Sequence, residues 1–335
     1  MSPEPEGLGI ETTELVERLR GLIRDTIHVA EQVRDQHEST PSSGSKAEEE
    51  LRNQHLVAAQ GAWGLDPVRQ ALDLALILWA YSESAAAGLE HSLVRSPPAR
   101  QAILASARSA MECGGRAWWL ADPAIDSRRR VARAMNERLY SYREMERLPE
   151  EFQIEALKEP LWETSGPSDP RQRRAQLAET AQILGYPPVR DRQDWILEAR
   201  PGGRGVVRQV FSRFDERMGD IAYTYYSSAV HGTVFGLMSG LVLDSGSTHR
   251  AISASPEASY AALLGVTVCY LEAGSRITTL MGWRDFGWPN WVKHAERELV
   301  EVMSEHGEPR RQDPPDEFRS QAESNSLENA TEEDP

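Results

Sequence analysis

Cysteine and lysine are both scarce in this chain of 335 residues. The two cysteines, Cys113 and Cys269, lie far apart in apolar surroundings, a pattern typical of buried free thiols in a reducing compartment. No Cys/His spacing resembles a zinc site, so we expect no disulfide framework, no metal and no cofactor. Lysine occurs only at Lys46, Lys158 and Lys293, a bias that we attribute to GC-rich codon usage rather than to function.

The sequence also predicts no targeting signal and no membrane span. The N-terminus, MSPEPEGLGIE, is acidic and has no apolar core, so no signal peptide is predicted. The uncharged run Ile221–Leu243 is long enough to cross a bilayer, but seven of its first eleven residues are Tyr, Thr, Ser or His. Its flanks also lack a positive-inside asymmetry. The sequence therefore predicts a cytoplasmic protein with no membrane partner.

The best-marked catalytic and nucleotide-binding motifs do not occur. The chain has no P-loop, no dinucleotide fingerprint, no HExxH and no EF-hand loop. It also lacks the Gly-x-Ser-x-Gly elbow of hydrolases and the Glu-x-x-His spacing of di-iron bundles. These absences leave open whether the protein is an enzyme.

The net charge of −15 argues against broad nucleic-acid binding, because phosphates would be repelled. Nine acidic residues against three arginines lie in 308–335, so the rest of the chain is less acidic and nucleic acid would need a local basic patch. The Arg-rich helix predicted from Asp126 to Arg147 is one candidate for that patch. We favour a solvated helix face with i,i+4 ion pairs. A protein partner or a homo-oligomer also fits this composition.

No segment alternates with period two, so the sequence predicts an all-α multi-helix bundle with a long central helix and little or no β-structure. Helix starts are marked by a capping box at Ser45 and Glu48, and by the cap-plus-proline pairs at 66–67, 96–97 and 122–123. Helices are predicted over 10–36, 46–60, 67–93, 97–120, 123–147, 150–158, 170–184, 204–214, 216–243 and 256–281, with a last helix from the aromatic turn at 283–291 to about 305.

Four regions follow from this pattern. Residues 1–9 are expected to be disordered, and 10–62 to form an N-terminal helical pair. Residues 65–305 form the helical-bundle core. The acidic tail, 306–335, is too poor in apolar residues to fold and is expected to be disordered.

The segment Ile221–Leu243 carries the most informative polar pattern. Tyr223, Ser227 and His231 recur at i, i+4 and i+8, so they share one face of a helix. A neighbouring face carries the small residues Ser228, Gly232, Gly236 and Gly240, which would let another helix approach closely. His231 is the candidate general base. The alternative is a core histidine that is hydrogen-bonded to a neighbouring helix.

Charged residues inside apolar helices are the candidate partners of His231. Arg108, Glu112 and Arg116 are spaced i, i+4 and i+8, and Glu272 and Arg276 form a similar pair. Such charges must be paired if they are buried. If these helices meet around His231, they enclose a polar chamber, to which Glu83 and Glu90 are further candidates. The candidate binding residues are therefore Tyr223, Ser227, Glu112, Arg116, Glu272 and Arg276. The chamber would bind a small molecule or form a satisfied buried network.

Four aromatic residues, Trp283, Phe286, Trp288 and Trp291, crowd the turn before the last helix. They suit stacking on a base or a sugar, but a hydrophobic cap over one end of the bundle is the interpretation that we favour.

The pattern Tyr223…Tyr226-Ser227-Ser228-Ala229-Val230-His231-Gly232, together with the earlier helix AILASARSAMECGGRAWWL, resembles a group of uncharacterised bacterial helical proteins. That group is distantly similar to the HEPN superfamily of helical bundles. The resemblance implies a helical fold over about Leu72–Met281. Active HEPN ribonucleases carry Arg followed, four to six residues later, by His, whereas here the nearest Arg before His231 is Arg217.

These observations favour a cytoplasmic helical binding or accessory protein, with stress response or phage defence as its setting. One alternative is a HEPN-like ribonuclease or toxin that uses His231. The other is a small-molecule hydrolase or sensor with a buried polar pocket.

Truncation after Gly307 is expected to leave the fold intact, because the removed residues bury too little apolar surface to offset their ordering entropy. The helical circular dichroism and the thermal midpoint should match those of the full chain. Loss of cooperative unfolding in the truncated protein would contradict this expectation.

Overall fold

Helices dominate the computed structural model, which describes residues 8–52, 66–94, 100–149, 169–189, 192–214, 216–230, 256–283 and 287–306. The helices in these ranges are α1 (Leu8–His37), α2 (Lys46–Leu51), α3 (Pro67–Val94), α4 (Arg100–Leu120), α5 (Ser127–Met145), α6 (Pro170–Ile183), α7 (Gly203–Phe211), α8 (Glu216–Val230), α9 (Pro256–Met281) and α10 (Trp288–His306). Strands β1 (Pro188–Val189) and β2 (Arg192–Ile196) form one short antiparallel hairpin. The predicted all-α class is confirmed.

Several predicted elements fall outside the described residues. These are the second half of the helix expected at 46–60, the helix at 150–158, the segment from His231 to Leu243 with its glycine row, Phe286, and the acidic tail. The described residues as far as Ala295 form one compact unit, and those from Glu296 belong to a second. In the ranges that the structure describes, no helix has both the length and the hydropathy of a bilayer span.

Two of the four marked helix starts are confirmed by their caps, and the pair at 96–97 lies outside the described residues. The Ser45 hydroxyl accepts the backbone N–H of Glu48 at 3.2 Å, and the Asp66 carboxylate accepts that of Val68 at 2.8 Å. These bonds satisfy N–H groups that have no partner within the helix. Asp169 caps α6 in the same way and is followed by Pro170 in the first turn.

Two predicted starts were wrong. The helix expected from Asp122-Pro123 begins at Ser127, because Asp126 is the N-cap and its carboxylate accepts the N–H of Arg129 at 2.7 Å. The last helix begins at Trp288, inside the expected aromatic turn. Gly287, at φ +79°, adopts a backbone conformation that residues with a side chain rarely take, and this lets the chain turn into the helix. Its carbonyl accepts the N–H of Trp291 at 2.7 Å.

The long central helix is α9. It packs against α1, α3 and α4, and further contacts come from α2, α7 and α8. Its apolar residues are buried almost throughout, as are Trp79 and Leu72 of α3 and Met111 of α4. Helices α3 and α4 share the most extensive contact among the described elements.

Over its described side chains, α8 is peripheral, with Ile221 69% exposed, although the sequence pattern had suggested a central position.

Helix α5 differs most from expectation. Its arginines were interpreted as a solvated face. Arg128 and Arg129 are exposed as expected, but Arg130 is fully buried and Arg133 is 5% exposed. The guanidinium of Arg130 donates two hydrogen bonds to Glu50, at 2.8 and 3.1 Å, and others to the carbonyls of Leu120 and Asp122. A buried guanidinium is tolerated because each of these acceptors replaces water.

The aromatic residues at the start of α10 cap the bundle as expected where they are described. Trp283 stacks on His37 with 5.3 Å between ring centroids, and its indole N–H donates to the carbonyl of Thr40 at 2.7 Å. Trp288 meets the edge of Trp79 at 5.8 Å. Trp283 and Trp288 are each 1% exposed, whereas Trp291 is half-buried and donates its indole N–H to the Thr26 hydroxyl at 3.1 Å.

Gly274 of α9 lies directly against Trp288 and Trp79, so a side chain at this position would disturb the aromatic packing. A Cβ atom there would collide with Cζ2 of Trp288 and lie 2.8 Å from Cζ2 of Trp79. Gly274→Ala should therefore lower the free energy of unfolding by about 1–3 kcal/mol through overpacking, as measured by urea denaturation. The matched control is Gly21→Ala in α1, where nothing lies within 4 Å of the new Cβ. That change should stabilise by up to about 1 kcal/mol, and equal effects of the two substitutions would contradict the argument.

Candidate functional site

Two predicted site residues, Glu112 and Tyr223, meet between α4 and α8, where Arg108 joins them. The Glu112 carboxylate accepts a hydrogen bond from Arg108 Nε at 2.9 Å and another from the Tyr223 hydroxyl at 2.7 Å. The guanidinium of Arg108 lies 5.9 Å from the centroid of the Tyr223 ring. Gly203 permits this approach, because a Cβ atom there would lie 2.6 Å from the Tyr223 hydroxyl and 2.9 Å from Glu112. The carboxylate is thus held by two donors.

Arg116, one turn further along α4, takes its partner from α5. Its guanidinium donates to Glu137 at 2.8 Å, and the second oxygen of Glu137 lies 3.0 Å from Arg200. The side chains of this triad are 11%, 9% and 5% exposed, in the order Arg116, Glu137, Arg200. The Arg200 guanidinium also lies 3.8 Å from the centroid of the Tyr140 ring.

Glu272 and Arg276 of α9 have their close partners on other elements. Glu272 accepts a hydrogen bond from Arg213, in the turn after α7, at 2.7 Å. Arg276 lies 3.3 Å from Asp122 and donates to the carbonyl of Trp118 at 3.2 Å, with its guanidinium over the Trp118 ring. The two residues of the predicted i,i+4 pair therefore form ion pairs with different segments, Glu272 with Arg213 and Arg276 with Asp122.

The two further carboxylates of the expected chamber lie on α3 and pair with α1. Glu83 accepts two hydrogen bonds from Arg34, both at 2.6 Å, and a third from the Tyr270 hydroxyl. Glu90 lies 3.2 Å from Arg20. Ser227 is half-buried on α8. The described charged candidates are thus engaged in separate ion pairs. His231 lies outside the described residues, and its role stays a prediction.

The cysteines offer no reactive thiolate. Both are free thiols, with Cys269 buried and Cys113 half-buried. Burial raises the pKa of Cys113 to about 11, despite the nearby Arg116. Because only the thiolate is a nucleophile, Cys113 stays unreactive at neutral pH.

A second polar region, which sequence reasoning missed, holds the β-hairpin against α5. The Asn136 amide accepts the N–H of Ile196 at 2.8 Å and donates to the carbonyls of Ile196 and Glu198, at 2.9 and 2.8 Å. The Glu198 carboxylate binds Arg133 at 2.5 Å and Arg129 at 2.7 Å. Between them, Leu197 has a φ of +60°, an uncommon conformation for a residue with a side chain. These bonds hold the end of β2 and the residues after it against α5 at several points.

The hairpin, α5 and α6 enclose a cleft of about 260 Å³, which we name the α5/α6 cleft. Its apolar wall consists of Leu139, Ala175, Ala178, Ala181, Pro188 and Ile196. Its polar lining consists of Tyr140, Arg143, Arg171, Arg174, Gln182 and Tyr186. Three guanidinium groups and no carboxylate are among these lining residues.

Tyr186 is the most unusual member of this lining. The residue is 3% exposed, and no hydrogen-bond partner for its buried hydroxyl is found in the described part of the chain. Burial raises the pKa of the hydroxyl well above its ordinary range, although the Arg128 guanidinium over the ring opposes this. The group therefore stays protonated and can donate a hydrogen bond. Buried hydroxyls are rarely left without a partner.

One signal for the cleft was present in the sequence. Arg171, Arg174, Ala175, Ala178 and Ala181 recur at helical spacing on one face of α6. Alanines at these positions leave space where larger apolar residues would fill a core. The spacing alone does not say which elements face that stripe, so the cleft itself could not be read from it.

Comparison with known proteins gives no relative for this chain: no family model, no curated protein and no solved structure matches it. The resemblance to HEPN-like helical proteins therefore stays a prediction. The assignment of a function rests on the geometry of the side chains.

Glu112 gives this cluster a testable pH dependence. Burial by itself raises its pKa, but the hydrogen bonds from Tyr223 and Arg108 outweigh that effect, and the pKa lies below its ordinary value. A carboxylate whose pKa is lower in the folded state stabilises the fold above the unfolded pKa of about 4.3, and this stabilisation is lost as pH falls through the folded pKa.

Glu112→Gln should therefore reduce stability at pH 7, and its deficit relative to wild type should shrink as the pH falls below about 4. Urea unfolding between pH 7 and 3 measures this difference. Glu14→Gln, at an exposed position of α1, is the control and should behave like wild type. A deficit of constant size across the pH range would show that the charge of Glu112 is not the cause.

Proposed function

We propose that this chain is a small-molecule-binding protein and that its site is the α5/α6 cleft. The observation that carries the proposal is Tyr186, a residue of the cleft lining whose buried hydroxyl has no hydrogen-bond partner in the described part of the chain. A bound molecule that accepts this hydrogen bond would remove the cost of leaving the hydroxyl unpaired, about 1–3 kcal/mol.

The composition of the cleft supports binding. Small-molecule sites are concave and mostly apolar, with a few convergent polar groups that fix the orientation of the ligand. The α5/α6 cleft has an apolar wall of alanines, Leu139 and Ile196, and its polar groups approach from α5, α6 and the loop that holds Tyr186. Its volume, about 260 Å³, lies just below the usual range of about 300–1,000 Å³ and suits a small ligand.

The walls are also held in place before any ligand arrives. Asn136 binds the backbone of Ile196, and Arg200 lies against Tyr140 while it is paired with Glu137. A preformed site binds with less loss of conformational entropy than one that must order its walls. The rigid hairpin thus favours recognition by a fixed surface.

Chemistry at this cleft is disfavoured relative to binding. Among its described lining residues are no Asp, Glu, His, Cys or Ser, so no ordinary general base or nucleophile faces the cavity. The described carboxylates of the expected chamber are also engaged, for example Glu112 by Arg108 and Tyr223. These features favour a binding or accessory role over hydrolysis at this cleft; a cytoplasmic setting such as stress response or phage defence is part of the proposal and rests on the sequence alone.

The proposal is tested by a fragment screen read from methyl groups. Ala178, Ala181, Leu139 and Ile196 carry methyls in the cleft wall, and ligand binding should shift their NMR signals, whereas Ala87 on α3 should stay unchanged. A library of neutral, anionic and cationic fragments that perturbs none of the cleft methyls would contradict the proposal.

Ala178→Leu should abolish the binding of any fragment found in this way. Ala178 is exposed on α6, so the larger side chain fills the cleft without disturbing a packed core. The matched control is Ala87→Leu, at an exposed helical position of α3, which should bind as wild type does. Unchanged binding by the Ala178→Leu variant would place the ligand elsewhere.

A further inference from the structure

We propose that the molecule bound in the α5/α6 cleft is a small amphipathic anion, a carboxylate or phosphate monoester attached to an apolar or aromatic body. This inference rests on the proposed binding function and adds the chemical class of the ligand. It follows from three features of the described lining: its charge, its one orphaned donor and its apolar wall.

The charge of the lining is uniformly positive. Arg143, Arg171 and Arg174 all contribute to the cleft, and no carboxylate does. Glu146 lies 2.8 Å from Arg174 and offsets part of that charge, but no ion pair for Arg171 is found within the described ranges. Guanidinium groups bind carboxylate and phosphate oxygens with paired hydrogen bonds, so this lining is matched to an anion.

The orphaned donor points to the same chemistry. The Tyr186 hydroxyl is protonated and buried in the wall, and a carboxylate or phosphate oxygen would accept its hydrogen bond. A hydrogen bond from a neutral donor to a charged acceptor contributes more than one between neutral groups. An anionic head group that meets Arg171 and Tyr186 together would satisfy both.

The apolar wall requires that the anion carry a body. Ala175 and Ala178 expose methyl groups to the cavity beside Ile196. Inorganic phosphate alone would leave this surface hydrated, whereas an aliphatic or aromatic body would bury it at roughly 25 cal/mol per Å². The cavity volume limits that body to a few atoms more than a single ring.

A polyanion such as RNA is a poorer match. The chain carries a net charge of −15, so the long-range field repels a strand of phosphates. The cleft is a concave site of about 260 Å³ rather than an extended basic groove. One anionic group enters such a site without bringing a second charge near the acidic surface.

The test compares probes that share a benzene ring and differ in their head group, with inorganic phosphate as the probe that lacks the ring. Phenyl phosphate and benzoate should bind the full chain, as measured by isothermal titration calorimetry and by shifts of the cleft methyls. Benzyl alcohol and benzylamine should each bind at least ~10-fold more weakly, since one charged hydrogen bond contributes about 1.4 kcal/mol or more. Inorganic phosphate should also bind at least ~10-fold more weakly, because it has no ring to cover the apolar wall. Binding of phenyl phosphate should also weaken as NaCl is raised.

Two variants assign the anion to its partners. Arg171→Gln removes an exposed guanidinium, and Tyr186→Phe removes only the hydroxyl; each should weaken phenyl phosphate at least ~10-fold while benzyl alcohol changes little. Arg24→Gln, at an exposed position of α1, is the control and should leave binding unchanged. The thermal midpoint of each variant shows whether it is folded.

The possible outcomes separate the two proposals. Tighter binding of benzyl alcohol than of phenyl phosphate, still blocked by Ala178→Leu, overturns the anion and leaves the binding function standing. Equal binding of inorganic phosphate overturns the apolar body. A single-stranded oligonucleotide that displaces phenyl phosphate at lower concentration overturns the small-molecule class. If no fragment perturbs the cleft methyls, the binding function itself fails.

Discussion

The fold depends on the ion pairs that satisfy the buried polar side chains of α5. Arg130 is fully buried, and it binds Glu50 and the carbonyl groups at the end of α4. If one partner of such a pair is removed, an uncompensated charge stays in the interior, which costs about 3–5 kcal/mol. The pairing therefore fixes α2, the end of α4 and α5 in one arrangement, more strictly than apolar contacts alone, which tolerate repacking.

The same helix positions the candidate site through its other polar residues. Asn136 holds the backbone of the hairpin, and Glu137 holds Arg200 against Tyr140. Tyr140 and Ile196, which line the cleft, are thus positioned by side chains that are themselves buried and paired. One consequence is that substitutions in this network should change both stability and the shape of the cleft, so the exposed positions Ala178 and Arg171 are the cleaner probes of function.

Local patterns in the sequence predicted local structure well and tertiary partners poorly. The pair Arg108–Glu112 follows from i,i+4 spacing on one helix, and the structure contains it. Arg116 has the same spacing from Glu112 but binds Glu137, because α5 brings a carboxylate close and nothing in the spacing indicates this. The start of α5 shows the same limit. Asp122 and Asp126 are both residues of the type that caps helices, and Asp126 is the one that does so. The carbonyl of Asp122 instead accepts a hydrogen bond from the Arg130 guanidinium, a tertiary contact that the local sequence does not indicate.

The α5/α6 cleft was the least predictable feature, because a cavity is defined by what three separate segments leave unfilled. The charge of its lining is also opposite in sign to that of the chain, because three arginines line the cleft whereas the net charge of the chain is −15. The repulsion from the acidic surface and the attraction to the arginines of the cleft act over different distances. Salt screens the acidic surface beyond a Debye length of about 8 Å, whereas the guanidinium groups act at contact distance in the cleft. A single anionic group that reaches the cleft meets the three arginines of its lining, with Glu146 beside Arg174 opposing part of their charge, whereas a polyanion keeps its repulsion from the rest of the chain. The proposed site therefore favours a small anion over nucleic acid.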